Sequence, residues 1–502
     1  MHVVATPLDF LSRAETIYAD RTAVIDQDVR LTYAQFADRC RRAGGALEAR
    51  GIRPGDRVAT LTRNCLMALE AHYSVPGIGA VLVPLNHRLS RSELQPLLEH
   101  AGVRLLLFEE VFEDVALELG VPTMSAAEYE REIVGASPTM RSVADEHDLL
   151  SINYTSGTTG RPKGVMYEHR GAYFQALAMV AHSRLTMDSV FLWTLPMFHC
   201  NGWTYTWAVT AAGGTHVCLD VIDPVRIWQQ IGEVGITHLN AAPTVLISLA
   251  GHQLATPIAA DHPLRVATGG APPSPALLAK LADLNIDVTH LYGLTETYGP
   301  AAVCDWHPEW SQLPAAEQAR LKARQGNANI LGGYARVVGS DGVDVPADGA
   351  SVGEVALRGN NVMRGYFRDP EATQEAIRDG WFYTGDLAVM HPDGYLELRD
   401  RSKDIIISGG ENIASIEIEQ TLAAHPDVVE VAVVAMSHDH WGEVPAAFVV
   451  LRPGAMSDEA ALIGFARERV AGFKVPKKVV ITDQLPKTAT GKIQKYVLRT
   501  HL

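Results

Sequence analysis

The stretch YTSGTTGRPKG, Tyr154–Gly164, is a candidate anion-binding loop. Backbone N–H groups in a glycine-rich turn can point together at phosphate oxygens, and its hydroxyl groups and Lys163 would add further donors. The stretch differs from the phosphate loop that ends in Gly-Lys-Ser/Thr, because Gly160 is followed by Arg-Pro-Lys-Gly. Taken alone it is more typical of a surface turn, since short motifs often match by chance.

Further segments rich in glycine, hydroxyl groups and charge follow along the chain. They are GGAPP (269–273), YGLTET (292–297), YTGD (383–386), DRSKDIIISGGENI (400–413) and PKTATGK (486–492). In this order and spacing they resemble the adenylate-forming superfamily of acyl-CoA synthetases, adenylation domains and luciferases. The resemblance covers essentially the whole chain and makes chance matching of every segment negligible.

The resemblance implies a two-step ligase reaction. A carboxylate attacks ATP to give an acyl-adenylate and pyrophosphate, and a thiol, usually coenzyme A, then displaces AMP. Because the carboxylate is itself the nucleophile, catalysis rests on positioning and on charge stabilisation at the α-phosphate. ATP, Mg²⁺ and coenzyme A are the expected cofactors and co-substrates. Two alternatives stay open: an amide synthetase that transfers the acyl group to an amine, and a non-catalytic nucleotide-binding homologue.

The same resemblance assigns roles to individual residues. Glu296 matches the magnesium-binding glutamate, Thr295 a hydrogen-bond partner of the α-phosphate, and Lys492 the lysine that bridges carboxylate and α-phosphate. Tyr292 would stack on adenine, and Asp386 would accept hydrogen bonds from the ribose hydroxyls. The implied nucleotide-binding residues are Thr155, Ser156, Gly157, Thr158, Thr159, Gly160, Lys163, Gly270, Ala271, Pro272, Tyr292, Gly293, Asp386 and Arg401.

Two further sets of residues are implied for the acid and for coenzyme A. His199, within PMFHCNGW, matches a gate beside the reacting carboxylate and is counted among the catalytic residues. The implied acyl pocket consists of Tyr173, His199, Trp203 and Tyr298, and a snug aromatic site suits an aryl or a short- to medium-chain acid. The implied coenzyme A contacts are Arg88, Gly409, Gly410, Trp441, Phe473, Lys474 and Lys477.

The elements that must position these residues alternate between strands and helices. Short apolar runs predict buried strands that end in polar or glycine-rich turns, with helical patterns between them. These runs are 149–154, 190–195, 216–219, 264–268 and 288–291, and the helical patterns include 172–182 and 224–234. The order predicts an α/β fold with functional loops at the strand ends.

The predicted organisation is a large N-terminal domain and a small C-terminal one. Residues 1–400 would form the multi-subdomain AMP-binding domain of layered sheets and helices, with the acyl pocket. Residues 401–502 would form a mobile α+β domain with the catalytic lysine, and the hinge would lie near Lys403. By resemblance, the small domain rotates between the two half-reactions.

Composition excludes several other classes of protein. A net charge of −15 without a long basic run argues against nucleic-acid binding. Five scattered cysteines suit a reducing compartment and lack metal-ligand spacing. The longest apolar stretch is too short to cross a bilayer, and no signal-peptide pattern begins the chain. A cytoplasmic enzyme is expected; the oligomeric state stays open, with a homodimer compatible with the resemblance.

Overall fold

The computed structural model describes residues 3–155, 162–269, 273, 275–331, 334–401, 404–408, 411–438, 441–487 and 493–502, with the backbone alone for 275, 400, 401, 411 and 412. The first part of the chain alternates strands and helices. Its elements are α1 Leu8–Tyr18, β1 Thr22–Asp26, β2 Val29–Thr32, α2 Tyr33–Ala49, β3 Arg57–Leu61, α3 Leu66–Gly77, β4 Val81–Pro84, α4 Arg91–Ala101, β5 Val103–Phe108, α5 Glu113–Glu118, β6 Thr123–Ser125, α6 Ala126–Gly135, β7 Leu149–Thr155 and β8 Lys163–Glu168.

The middle of the chain continues this alternation. Its elements are α7 His169–His182, β9 Val190–Leu192, the short turn α8 Cys200–Trp203, α9 Tyr205–Ala212, β10 Thr215–Val217, α10 Pro224–Val234, β11 His238–Ala241, α11 Pro243–Gly251, β12 Leu264–Thr268, α12 Pro275–Asp283, β13 Ile286–Leu294, β14 Gly299–Val303, α13 Ala315–Lys322 and β15 Asn327–Ala328. The predicted strands all form, with ends that differ by a few residues. The predicted helices also form, and α7 starts three residues early.

Two mixed sheets hold this region together. Within the described residues, one has the order β6-β5-β3-β4-β7-β8, and the other has the order β15-β14-β13-β12-β11-β9-β10-β1-β2. Their inner strands pair mostly in parallel and are buried on both faces. Apolar side chains from α1, α2, α7 and α9 fill a core between the two sheets. The carboxyl ends of β7, β12 and β13 carry the predicted nucleotide segments, as expected for an α/β fold.

Two smaller sheets complete the chain. The third contains β16 Tyr334–Val338, β17 Val352–Arg358, β18 Ile377–Arg378, β19 Trp381–Met390 and β20 Leu396–Arg401, with α14 Pro370–Ala376 beside it. The fourth contains β21 Ile406–Ser408, β22 Glu411–Ile413, β23 Val428–His438, β24 Gly442–Leu451 and β25 Lys478–Ile481, with α15 Ser415–Ala423, α16 Glu459–Arg467 and α17 Lys495–Arg499. This last sheet and its helices bury their own apolar core, which matches the predicted α+β unit.

The predicted boundary between residues 400 and 401 falls at the end of β20. Arg401 still pairs with Asp386 of β19 in the third sheet, and the predicted hinge residue Lys403 lies outside the described residues. In the part of the chain that the structure describes, no helix is both long and apolar enough to cross a membrane.

Candidate functional site

A tight hairpin at the end of β13 presents the YGLTET segment. After Leu294 the chain makes a short helical turn, and Thr297 closes it by bonding through Oγ1 with the backbone of Leu294 and with the Gly299 carbonyl, at 2.7–3.0 Å. A Cβ atom at Gly293 would lie 1.9 Å from the Gly299 oxygen, so the hairpin requires glycine there. The turn leaves Thr295 and Glu296 at the carboxyl edge of the sheet.

Tyr292 and Asp386 join two sheets through one hydrogen bond. The Tyr292 hydroxyl donates to Asp386 Oδ2 at 2.8 Å, and both residues are buried. Asp386 lies on β19, and its backbone N–H donates to Thr384 Oγ1 at 3.1 Å. The structure therefore brings Tyr292, predicted to stack on adenine, into contact with Asp386, predicted to bind the ribose hydroxyls.

Tyr366 connects the two charged residues of the phosphate side. Its hydroxyl donates to Glu296 Oε1 at 2.8 Å, and Lys163 Nζ lies 4.6 Å from the centre of its ring. Burial, and then the negative charge of Glu296, raises the pKa of Tyr366, so the hydroxyl keeps its proton and acts as a donor. The sequence prediction missed Tyr366, because nothing in the sequence indicates that it meets Glu296, which lies 70 positions earlier.

The residues on either side of the predicted phosphate loop face each other. β7 and β8 form an antiparallel hairpin in which Thr155 pairs with Lys163. The loop between them, with Ser156, Gly157, Thr158, Thr159 and Gly160, lies outside the described residues. The same holds for Gly270, Ala271, Pro272, Gly409, Gly410 and Lys492, and for the side chain of Arg401.

The PMFHCNGW segment is anchored from a different part of the chain. Asn64 Nδ2 donates to the carbonyls of Trp193 and Leu195 at 2.8 and 3.1 Å, and its Oδ1 accepts from the Met197 N–H at 2.8 Å. Trp203 is buried across the end of β13, where a Cβ atom on Gly299 or Gly269 would lie 3.1–3.2 Å from it. The pocket wall predicted at Trp203 therefore lies beside the YGLTET hairpin.

Cys200 lies between His199 and Thr295 of the YGLTET segment. The Cys200 sulfur lies 3.9 Å from the His199 imidazole nitrogens and 3.6 Å from Thr295 Oγ1. The backbone carbonyl of Thr295 accepts a hydrogen bond from the Tyr167 hydroxyl at 2.6 Å. The predicted carboxylate gate and the predicted α-phosphate partner are thus neighbours.

The other two predicted pocket residues have structural partners. The ring of Tyr298 stacks on Tyr167 with centroids 3.8 Å apart, and its hydroxyl accepts a hydrogen bond from the Glu168 N–H at 2.7 Å. The ring of Tyr173 stacks on Phe10 of α1 at 4.8 Å. Their role in the pocket stays a prediction, while their packing supports the hairpin and α7.

A cavity of about 290 Å³ is lined in part by residues of β11, β12 and β13 of the same sheet. Tyr205, Ala267 and Leu291 line its part closest to the ends of β12 and β13. Polar groups also line the cavity, namely those of His238, Asn240, Arg265, Thr289 and His290. Burial lowers the pKa of both His238 and His290 to about 4, so these imidazoles are neutral near pH 7.

The described residues predicted to contact coenzyme A lie on surfaces. Trp441 and Phe473 have exposed fractions of 47% and 42%, and Arg88 and Lys477 are exposed too. Lys474 pairs with Glu417, with Nζ 2.7 Å from Oε2. Trp441 precedes β24 and Lys477 precedes β25; because these strands pair in parallel, both residues lie toward the same end of the sheet.

Glu296 suits a magnesium ion held partly by substrate. Within the described residues, no group of three His, Cys, Asp or Glu side chains forms an all-protein metal site. Mg²⁺ in nucleotide enzymes binds through one or two carboxylates together with phosphate oxygens and water. One carboxylate at the end of β13 therefore fits the predicted ion.

Comparison with known proteins identifies the family. Residues 11–367 match the AMP-binding enzyme family, and residues 417–492 match the AMP-binding enzyme C-terminal domain. The chain belongs to the AMP-binding enzyme family. The predicted adenylate-forming superfamily and fold are confirmed.

Curated relatives extend the match along the whole chain. An acetate–CoA ligase of Humulus lupulus is 42% identical, with 99% of this chain and 94% of the relative covered. A peroxisomal benzoate–CoA ligase of Arabidopsis thaliana is 41% identical, with coverage of 99% and 93%. The crystal structure of ATP-bound MatB from Rhodopseudomonas palustris has a TM-score of 0.88 at 30% identity, covering 98% of each chain. The predicted enzyme class, an AMP-forming acyl-CoA synthetase, is confirmed.

Proposed function

We propose that this AMP-binding enzyme converts a small carboxylic acid to its coenzyme A thioester. In the first step a carboxylate oxygen attacks the α-phosphorus of ATP, and the bond to pyrophosphate breaks. In the second step the coenzyme A sulfur attacks the acyl carbon, loses its proton, and displaces AMP. The convergence of Tyr292, Asp386, Thr295 and Glu296 at the end of β13 carries the proposal, because it supplies nucleotide contacts and a magnesium ligand in one place.

Each residue of the cluster has a proposed task. Asp386 accepts hydrogen bonds from the ribose hydroxyls, and Tyr292 keeps that carboxylate oriented through its 2.8 Å hydrogen bond. Glu296 holds Mg²⁺, which neutralises charge on the phosphate oxygens when it is bound. Tyr366 fixes the rotamer of Glu296 by donating to Oε1. The role proposed for Lys492, by its match to the family motif, is to stabilise the charge that develops at the α-phosphate.

The walls of the pocket favour a small acid. Trp203 closes the site beside the YGLTET hairpin, and the cavity of about 290 Å³ along the same sheet is near the lower limit for small-molecule sites. The relatives described above are named for acetate and for benzoate, which span this range of size. We therefore propose a short aliphatic acid or a single-ring aromatic acid as the substrate.

Coenzyme A is proposed as the acceptor in place of an amine. The curated relatives with about 40% identity over nearly the whole chain are named as CoA ligases. Exposed Trp441, Phe473 and Lys477 supply aromatic and positive groups that suit a nucleotide carrying a 3′-phosphate. An amide synthetase and a non-catalytic homologue are the outcomes that the following experiment separates from this proposal.

The experiment is a panel of carboxylic acids assayed with ATP, Mg²⁺ and coenzyme A. Pyrophosphate release measures adenylation, and chromatography measures acyl-CoA and any amide formed when amines are added. We expect pyrophosphate release with acids from acetate to benzoate, followed by acyl-CoA formation. Formation of an amide without a thioester would show that the acceptor is an amine and not coenzyme A. Absence of pyrophosphate release with every acid would refute the proposed ligase activity. The Glu296→Ala variant is the control for background release.

The cytoplasmic location and a homodimer also stay proposals. The Arabidopsis benzoate–CoA ligase is named peroxisomal, so relatives of this family differ in location. Light scattering coupled to size-exclusion chromatography would give the mass of the particle. A mass near 54.4 kDa would exclude the homodimer, whereas twice that mass would support it.

A further inference from the structure

The predicted acyl-pocket segment contains a left-handed turn. The φ angles from Cys200 to Thr204 are 51°, 52°, 62°, 54° and 65°. Residues with a Cβ atom rarely adopt this conformation, and asparagine is among the few that tolerate it. Gly202 is required for a second reason, because a Cβ atom there would lie 2.4 Å from the Trp193 ring. Such a turn persists only where its surroundings hold it, and turns of this kind concentrate at functional sites.

Asn201 holds the turn through its side chain. Its Oδ1 accepts hydrogen bonds from Ser151 Oγ and from Asn153 Nδ2, each at 2.8 Å. Asn153 Nδ2 lies 3.1 Å from Ser151 Oγ as well, and all three residues are fully buried. We refer to Ser151, Asn153 and Asn201 as the Asn201 cluster. Loss of Asn201 Oδ1 would leave the buried Ser151 Oγ and Asn153 Nδ2 without this shared acceptor, which is costly in a buried site.

The cluster joins the two segments that hold the two substrates. Ser151 and Asn153 lie on β7, which ends at Thr155 and leads into the predicted phosphate loop. On the other side of the cluster, the left-handed turn carries Trp203 and follows His199, the predicted wall and gate of the acyl pocket. The hydrogen bonds of Asn201 therefore connect the strand that leads to the predicted phosphate loop with the turn that carries Trp203.

We propose that Asn201 is a positioning residue that sets the approach of the carboxylate to the α-phosphate of ATP. Attack requires the carboxylate oxygen in line with the bond to pyrophosphate, and a small displacement of one partner slows such a step strongly. The second half-reaction begins after acid and AMP are already bonded, so it does not need this alignment. Loss of the cluster should therefore slow adenylation selectively. This inference rests on the ligase activity proposed above.

The test measures the two half-reactions separately in two variants. Asn201→Gly removes the side chain but permits positive φ, and Ser151→Ala removes one donor from the strand side. Adenylation is measured as single-turnover pyrophosphate release with ATP and the best acid of the panel. Thioester formation is measured from the synthetic acyl-adenylate of that acid and coenzyme A. We expect adenylation to slow about tenfold to hundredfold in Asn201→Gly and about threefold to tenfold in Ser151→Ala.

In both variants, the rate of thioester formation from the acyl-adenylate is expected to stay within about twofold of the rate of the unaltered protein. Thr210→Val is the matched control, because it removes a buried 3.0 Å hydrogen bond between Thr210 Oγ1 on α9 and His216 Nε2 on β10, outside the turn. Its adenylation rate should equal that of the unaltered protein. A folded, soluble Ser151→Ala protein suffices for the decision if Asn201→Gly does not fold.

Two results would overturn the inference. The first is an unchanged rate of adenylation in the variants, and the second is an equal loss in both half-reactions, which would indicate a purely structural role. Failure of the unaltered protein to release pyrophosphate with any acid would instead refute the proposed function. The two failures are therefore distinguishable within one set of assays.

Discussion

Two regions carry the two halves of the proposed chemistry, and they differ in how far their side chains are buried. The first is the end of β13, and the second is the end of the C-terminal sheet at which β24 and β25 begin. At the end of β13, Tyr292 and Asp386 are buried and hydrogen-bonded, and Tyr366 holds Glu296. At the C-terminal sheet, Trp441 and Lys477 are exposed. One site is assembled within the fold, and the other is displayed on its surface.

The difference follows from what each half-reaction demands. Charge that develops on phosphate oxygens is stabilised best by groups that are already oriented and shielded from water. In the proposed thioester step, the nucleotide part of coenzyme A binds at the protein surface while its thiol reaches the acyl-adenylate. Exposed aromatic and basic groups provide such a surface. Substitutions in the buried site should therefore affect adenylation strongly, and those on the exposed surface should affect the affinity for coenzyme A mildly.

The largest effect is expected for Glu296→Ala. Loss of the proposed magnesium ligand should slow pyrophosphate release by about hundredfold or more, comparable to the loss of one strong stabilising group in an active site. Tyr366→Phe is the control, because it keeps the carboxylate and removes only its 2.8 Å hydrogen bond. If Glu296→Ala retained more than about a tenth of the rate, the assignment of the metal ligand would fail.

An intermediate effect is expected for Asp386→Asn. Hydrogen bonds to a charged group contribute about 1.5–3 kcal/mol, so the KM for ATP should rise about tenfold to hundredfold. Tyr292→Phe removes the partner hydroxyl but keeps the ring, and a smaller rise is expected. Initial rates at varied ATP measure both. An unchanged KM in Asp386→Asn would remove Asp386 from the nucleotide site.

A smaller effect is expected for Trp441→Ala. An aromatic contact contributes about 0.5–1.5 kcal/mol, so the KM for coenzyme A should rise about twofold to tenfold. Pyrophosphate release without coenzyme A should not change, because the nucleotide site lies elsewhere. Tyr334→Ala, which removes an aromatic ring with an exposed fraction of 64% on the third sheet, is the matched control. A slower adenylation in Trp441→Ala would break the contrast between the two regions.

The smallest effect concerns the pH dependence of stability. Burial lowers the pKa of six histidines from the ordinary 6.5 to about 3 or about 4. His216 is lowered to about 3, and the others, lowered to about 4, are His72, His87, His169, His238 and His290. Unfolding lets them bind protons, so their contribution to stability is complete only well above pH 6.5 and is lost as the pH falls through 6.5 toward 4. Between pH 7.5 and 6.5 each should lose about 0.4 kcal/mol of stability.

Thermal unfolding at a series of pH values measures this loss. Since all six histidines lie before residue 300, Tm of the N-terminal region should fall by a few degrees over that interval. His216→Gln should make the dependence shallower. A Tm that stays constant from pH 7.5 to 5.5 would contradict the expectation that these imidazoles are neutral in the folded protein.

The strands could be predicted and the motifs could be recognised from the sequence because both depend on residues that are close together in the chain. The strand Leu264–Thr268 and the helix Pro224–Val234 begin and end at the predicted residues. An apolar run bounded by turn residues indicates a buried strand, and apolar residues at helical spacing indicate a helix. The ordered motifs led to the family and to the reaction class. The convergence of Tyr292 and Asp386, 94 residues apart, came from the resemblance and had no basis in spacing alone.

The contacts that the sequence missed are those between distant buried polar groups. Tyr366 meets Glu296, and Asn201 meets Ser151, through pairings that depend on how two sheets pack. The Asn-Gly pair at 201–202 did carry a signal, because this dipeptide favours positive φ. Its consequence for the acyl pocket became visible only when the partner strand β7 was in place.

Cys200 has a consequence for an enzyme whose product is a thioester. Its sulfur lies 3.6 Å from Thr295 Oγ1, beside the proposed site of the activated acyl group. Burial raises the pKa of this thiol to about 12, so the nucleophilic thiolate is essentially absent near pH 7. The Cys200 thiol therefore does not compete with the thiol of coenzyme A for the activated acyl group near pH 7.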